Sequence, residues 1–211
     1  MNLLIFDFDG VIVDSIDDLT DACNQALEAS RHDRRVTRDD LRVMRRVTVP
    51  GVAELAGFPH DRMDELREQF IDVLDRERAM PLIWPGMAGV LRALAQEHPI
   101  CVVTSNTRQT VERVLGGAGV LPSVRLILDV SDRREKDAKI RQCVEQVGAG
   151  CRRALMIGDA MSDLEDAARA GVEGIGVAWG YQPRELLEGQ PHAFIAENPE
   201  GLLRWLRAEG A

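Results

Sequence analysis

Residues 3–15, LLIFDFDGVIVDS, run from four consecutive apolar residues into Asp7, Phe8, Asp9 and Gly10. An unbroken apolar tetrad closed by turn-forming residues predicts a short strand buried on both faces. Strands often end in Asp and Gly, because both suit turn geometry. Asp7 and Asp9 add something further: two carboxylates two positions apart project from the same side of an extended segment.

Similar runs recur at ICVVT (100–104), VRLIL (124–128), RALMIG (153–158) and GIGVA (174–178), with segments of helical period between them. In TVERVLGGAG, Val111, Val114 and Leu115 share a face, and in AKIRQCVEQVG so do Ile140, Cys143, Val144 and Val147. Continuously apolar strands alternating with amphipathic helices predict an α/β fold: a Rossmann-like parallel sheet covered on both faces, because each crossover helix buries its stripe on the sheet. In such sheets ligands gather at the carboxyl ends of the strands.

Residues 16–84 break the rhythm and read as successive helices. Ile16, Leu19, Cys23, Ala26 and Leu27 fall on one side of the first, and Met63, Leu66, Phe70, Val73 and Leu74 on one side of a later one. Between them, Thr37 and Asp40 form a capping-box pattern opening RDDLRVMRRV. The expected organisation is a core of residues 1–15 and 85–211 with a helical insertion over 16–84, leaving through DSID and returning through MPLIWPG.

At 211 residues and 45% hydrophobic content, the chain suits one core domain with a modest insertion. No apolar run approaches the roughly 18 residues of a membrane span. Met1 leads within two residues into a strand, so no secretory leader and a cytoplasmic location are expected. Cys23, Cys101, Cys143 and Cys151 lack paired spacing and read as reduced, partly buried residues. With 26 basic and 35 acidic residues, the formal charge of −9 and the lack of a basic stripe argue against a nucleic-acid partner. An anionic substrate would need local positive charge, which makes a metal ion attractive.

Compared across the strand ends, the residue types converge. The first strand delivers Asp7 and Asp9, and VVTSN delivers Thr104, Ser105 and Asn106. The third is followed by the charged SDRREKDAK, and MIGDAMSD delivers Asp159 and Asp163. A hydroxyl, an amide, a cation and several carboxylates would meet in one crevice.

DFDGVIVDS, the Thr104 strand end, a lysine and GDAMSD match in order the four motifs of the haloacid-dehalogenase superfamily. The chain resembles its phosphatases, in the phosphoglycolate-phosphatase and β-phosphoglucomutase-like branch. GIGVAWGYQPRELL is similar to the last core strand and following loop of the phosphatase members. The resemblance covers the core; over 16–84 only a helical cap of similar placement is recognisable, and it would select the substrate.

The chemistry this implies is hydrolysis of a small phosphorylated metabolite. A phosphate monoester is a dianion that repels nucleophiles, so a carboxylate attacks only where a cation screens both. The resemblance makes Asp7 the nucleophile, forming an aspartyl-phosphate, and Asp9 the general acid and then base. Mg²⁺ would be held by Asp7, the Asp9 carbonyl and Asp159, with Asp163 one turn beyond Asp159 orienting the site. Thr104, with Ser105 and Asn106 and nearby N–H groups, would bind phosphoryl oxygens while a lysine neutralises their charge. Lys136 and Lys139 both qualify, since KDAK departs from the family's K-P-x-P. Lys136 is preferred, because a cation at a helix start is disfavoured unless an anion answers it.

Other candidates have plainer readings. His32, His60, His98 and His192 share no ligand spacing and fit surface or cap positions. Trp179 and Tyr181 either reach the site mouth or pack around the last strand. Arg45 and Arg46 either meet the non-reacting end of an anionic substrate or lie on a solvated helix face. A phosphosugar mutase and a non-catalytic phosphate-binding regulator are the alternatives. GD rather than E-D in the last motif favours hydrolysis over the first, and the presence of Asp7, Asp9 and Asp159 disfavours the second. A monomer or homodimer is expected.

Overall fold

The computed structural model describes residues 1–76 and 81–210, and the chain divides into two units, Met1–Asp14 with Leu82–Ala211 and Ser15–Pro81. The strands, in chain order, are β1 (Leu3–Phe6), β2 (Val13–Asp14), β3 (Leu82–Ile83), β4 (Ile100–Val103), β5 (Val124–Leu128), β6 (Ala154–Gly158), β7 (Glu173–Val177) and β8 (Phe194–Ala196). The helices are α1 (Ile16–Ala29), α2 (Arg38–Val43), α3 (Val49–Ala56), α4 (Met63–Arg76), α5 (Met87–Leu94), α6 (Arg108–Gly117), α7 (Lys136–Val147), α8 (Met161–Ala170), α9 (Arg184–Glu188) and α10 (Pro199–Gly210).

The first unit carries a six-stranded sheet in the order β5-β4-β1-β6-β7-β8, every pairing parallel. The unalternating LLIF run is explained by burial on both faces. Leu4 and Phe6 join Ile100, Val102, Leu155, Ile157, Ile175 and Val177 on one face, under Leu91 of α5, Val111 and Leu115 of α6, and Leu202 and Leu206 of α10. Leu3 and Ile5 join Cys101, Val103 and Met156 on the other, under Ile140 and Cys143 of α7 and Ala167 of α8. Each such side chain contributes roughly 1.5–3 kcal/mol by leaving water.

From β1 the chain crosses to β4 and β5 on one side and to β6, β7 and β8 on the other. The order therefore reverses at β1. Crossover helices depart in opposite directions there, which opens a crevice at the carboxyl ends of β1, β4 and β6.

Beyond Asp7 the chain folds back tightly. Ile12 and Val13 both donate to the Phe8 carbonyl, at 2.9 and 3.1 Å, and Gly10 N–H donates to Val13 at 2.9 Å. Val13 then faces Ile83, and Asp14 faces Leu82, in a short antiparallel ladder. With that ladder, Leu82, Ile83 and Trp84 belong to the sheet unit and Ser15 to the helices, so the helical unit covers 15–81 where 16–84 was expected. VIVDS and LIWPG read from the sequence as hinge-like strands on either side of the insertion; their pairing, and β8, carry no periodicity of their own.

The second unit holds α1–α4 around Cys23, Leu27, Val36, Leu41, Val52, Ala53 and Leu66, with Leu19, Met63 and Phe70 packed at its margin. Asn24 fastens the segment between α1 and α2 by bonding both the N–H and the carbonyl of Val36, at 2.8 and 2.9 Å. Thr37 and Asp40 form the capping box of α2. That helix stops at Val43, because Met44 turns to an extended conformation and Thr48 caps α3. Arg45 and Arg46 consequently lie in the bend between α2 and α3, not on a helix face. The Leu74 side chain and Met80 of MPLIWPG fall outside the described residues.

All four cysteines are free. His98, expected at the surface or in the cap, is buried in the sheet unit, where Nδ1 accepts the Asn2 N–H at 3.0 Å. No helix among the described residues is long and apolar enough to cross a membrane.

Candidate active site

Asp7 extends β1 by one rung, its N–H donating to Ile157 at 2.9 Å, so its side chain emerges at the strand's end. One carboxylate oxygen accepts the Phe8 N–H at 2.7 Å and the other accepts the Lys136 ammonium at 2.7 Å. Lys136 opens α7, where a cation is opposed by the helix dipole. Two carboxylates answer that penalty, because the same ammonium also donates to Asp163 Oδ1 at 2.7 Å. Asp163, in the first turn of α8, uses its other oxygen to accept the Ala160 N–H at 3.1 Å. Asp159 precedes that helix, directly after β6, and is almost wholly buried.

Asp159 is seated by backbone rather than by charge. Its Oδ2 accepts the Tyr181 N–H at 2.7 Å. Two glycines leave it room: a Cβ on Gly10 would lie 2.0 Å from Asp159 Oδ2, and one on Gly180 would lie 2.3 Å from Asp159 Cβ. Gly10 also holds φ +75°, a region unfavourable to side-chain-bearing residues by roughly 1–2 kcal/mol. Gly10→Ala is therefore expected to lower stability by at least ~1 kcal/mol and, by displacing Asp159, to cut turnover more than roughly tenfold. Thermal melting and kcat measured side by side test this; an unchanged kcat would show that Asp159 tolerates the displacement.

One oxygen from each of Asp7, Asp159 and Asp163 lies within 4.8 Å of the others. Burial pushes the Asp7 carboxyl up to about 7; Lys136 opposes the rise, while Asp163 and Asp9 add to it. Asp159 is raised well above the ordinary carboxylate range, first by burial and then by Asp163 and Asp7. Lys136 is held above its usual value despite its own burial, through Asp163 and Asp7. Three clustered carboxylates facing one ammonium are short of positive charge. An all-oxygen donor set with that deficit fits a hard divalent cation such as Mg²⁺.

Beside this cluster stand the remaining strand-end residues. Asn106 Nδ2 lies 3.3 Å from both carboxylate oxygens of Asp9, and Thr104 Oγ1 lies 3.5 Å from Asp9 Oδ2. The amide is oriented by Thr107, whose N–H donates to Asn106 Oδ1 at 2.8 Å. Thr104 Oγ1 in turn accepts the Asn106 N–H at 2.8 Å. The Asn106 side chain thus faces Asp9, and Ser105 is exposed at the loop's tip. Lys139 does not join the carboxylates: its amine donates to the Asp129 carbonyl at 2.7 Å and the Thr104 carbonyl at 3.4 Å. Arg45 and Arg46 belong to the helical unit.

Trp179 was singled out in the sequence; Trp84, Gln182 and Asp129 were not. Trp179 Nε1 donates to the Val11 carbonyl at 3.1 Å and Trp84 Nε1 to the Gly10 carbonyl at 3.1 Å, bracing the turn after Asp9. Gln182 accepts the Met161 N–H at 2.6 Å at the start of α8. Asp129 accepts the Arg108 N–H at 3.0 Å and the Ser131 hydroxyl at 2.6 Å. The signal for Asp129 was present, since it directly follows an apolar run as Asp7 does. The backbone donors of the WGYQ loop left no signal in residue type.

Similarity to known proteins agrees with this arrangement. The family model described as haloacid dehalogenase-like hydrolase matches residues 4–177. The chain belongs to the haloacid dehalogenase-like hydrolases. This hydrolase is 33% identical over 208 residues to phosphoglycolate phosphatase of Caulobacter vibrioides, covering 91% of this chain and 87% of that one. It is 32% identical over 206 residues to phosphoglycolate phosphatase of Agrobacterium fabrum, covering 92% and 87%. Its fold is shared with a haloacid dehalogenase-like hydrolase from Streptococcus pneumoniae, with TM-score 0.86, 18% identity and 98% of each chain covered. The hydrolase is a phosphatase, acting as a phosphoric monoester hydrolase.

Proposed function

We propose that this phosphatase hydrolyses a small anionic phosphate monoester of the 2-phosphoglycolate type, through a phosphoryl-Asp7 intermediate and with Mg²⁺. The observation that carries this reading is the shared Lys136 ammonium, 2.7 Å from Asp7 and 2.7 Å from Asp163, with Asp9 two residues beyond Asp7. Asp7, Asp159 and Asp163 would hold the metal together with the Asp9 carbonyl. A divalent cation bound there screens the charge between carboxylate and phosphoryl dianion.

An Asp7 oxygen attacks phosphorus, and the ester P–O bond breaks as Asp9 passes its proton to the leaving oxygen. Asp9, now a carboxylate, takes a proton from the water that attacks the phosphoryl-Asp7. Phosphate departs, and the Asp7 carboxylate and Asp9 acid are restored. Asn106 and Thr104 hold the Asp9 carboxylate between these two proton transfers, while Lys136 and the loop N–H groups face the phosphoryl oxygens. The helical unit, as a cap, supplies selectivity, and its Arg45 and Arg46 are candidates for meeting the substrate's second anionic group. The names of the relatives support 2-phosphoglycolate as the first substrate to try.

Phosphate release from 2-phosphoglycolate, sugar phosphates, nucleotides and an aryl phosphate tests the reading, with the highest kcat/KM expected for 2-phosphoglycolate. Absence of Mg²⁺-dependent release from every ester would overturn it. Replacing Arg45 and Arg46 with Ala is expected to raise KM for 2-phosphoglycolate roughly tenfold, with kcat and the aryl phosphate KM nearly unchanged. Equal KM changes for both substrates would remove the arginines from recognition.

A further inference from the structure

Lys139 is a buried lysine whose amine bonds backbone carbonyls, three residues along the helix from the lysine that meets Asp7. Ordering a long side chain and removing its ammonium from water are both costly, so the contacts it makes in exchange are informative. Its amine bonds two backbone carbonyls from different strands: Asp129 beyond β5 at 2.7 Å and Thr104 beyond β4 at 3.4 Å.

The peptide plane converts those contacts into a direction. All the described peptide bonds are trans, so the N–H across each bond points opposite to the carbonyl. With the Asp129 carbonyl turned to Lys139, the Val130 N–H is turned away, and it donates to the Asn106 carbonyl at 3.0 Å. With the Thr104 carbonyl turned to the same amine, the Ser105 N–H is also turned away. That N–H meets no protein acceptor among the described residues, and Ser105 is exposed. One ammonium therefore sets two peptide planes: one locks the Asn106 loop in place, and the other presents a free donor at the end of β4.

We propose that Lys139 is a positioning residue that aims the Ser105 N–H at the phosphoryl group by fixing the Thr104 and Asp129 carbonyls. The inference rests on the reading of this site as one that binds a phosphoryl group. Lys139 touches neither Asp7 nor the metal-binding carboxylates and acts through the backbone of the Thr104–Asn106 loop. A donor misdirected by an ångström loses most of its hold on charge developing in the transition state.

Lys139→Met keeps the stem of the side chain and removes its donors. In the full chain with Mg²⁺ and an aryl phosphate, it is expected to lower kcat roughly 10- to 100-fold and to weaken inhibition by inorganic phosphate. Lys139→Arg, which restores donors, is expected to recover a large part of both. A purely structural role would lower the melting temperature without changing kcat well below it. Wild-type kcat and phosphate inhibition in Lys139→Met would overturn the proposal.

Amide NMR gives a reading independent of turnover. Inorganic phosphate is expected to shift the Ser105 N–H resonance in the wild-type protein and to shift it less in Lys139→Met, or in Lys139→Gln should the Met variant not fold. An unresponsive wild-type Ser105 amide would overturn the proposal, with or without turnover. If Ser105 responds in this way but no ester is hydrolysed, the catalytic reading falls while the positioning role stands.

Discussion

Asp7→Asn is expected to lower kcat by roughly 10⁴-fold or more while leaving the melting temperature within a few degrees of the wild type. The amide matches the carboxylate in volume, and Oδ1 can still accept the Phe8 N–H that now lies at 2.7 Å. Lys136 keeps its second carboxylate, Asp163. What is lost is the oxygen nucleophile that would form the phosphoryl intermediate. Asp9→Asn provides the contrast. It should abolish turnover of alkyl esters but spare part of the reaction with an aryl phosphate, whose leaving oxygen needs no proton. Rapid-quench detection of a phosphorylated protein, present in wild type and absent in Asp7→Asn, reads the intermediate directly. Normal turnover by Asp7→Asn would sink the mechanism.

Removing divalent cations should have an effect of similar size. Chelation is expected to abolish turnover and Mg²⁺ to restore it, because Asp7, Asp159 and Asp163 crowd three carboxylates against one ammonium. Binding can be read apart from activity. At 100 times its Kd, Mg²⁺ should stabilise the wild-type fold by ~2.7 kcal/mol, raising Tm by a few degrees. Asp159→Ala removes a buried carboxylate held by the Tyr181 N–H and is expected to weaken Mg²⁺ binding by roughly tenfold to a hundredfold or more. Full activity in excess chelator would remove the metal from the chemistry.

The sheet was legible because burial on both faces leaves a composition signal. Leu3–Phe6 and Ile100–Val103 are continuously apolar since alternate residues enter different cores. The helices flanking them were legible from stripes such as Val111, Val114 and Leu115. Short irregular elements were less so: the two-residue pairing of Val13–Asp14 with Leu82–Ile83 joins partners 70 and 68 residues apart. Arg45 and Arg46 were read near a helix that ends at Val43, because the extended turn at Met44 leaves no mark in residue type.

The sequence by itself determined which strand ends gather polar side chains, because groups that cannot serve a core stand out against apolar runs: Asp7, Asp9, Thr104, Asp159 and Asp163. It favoured Lys136 of the two lysines of KDAK without settling the choice, since residues at i and i+3 share a helix face and either could reach the crevice. Only the tertiary structure decided between their contacts, placing Lys136 between Asp7 and Asp163 and Lys139 between two backbone carbonyls. It likewise turned the Asn106 amide toward Asp9 and seated Asp159 between Gly10, Gly180 and the Tyr181 N–H. Residue type states what a group can donate or accept. The direction in which it does so depends on peptide planes and strand register, which are set by packing between segments far apart in the chain.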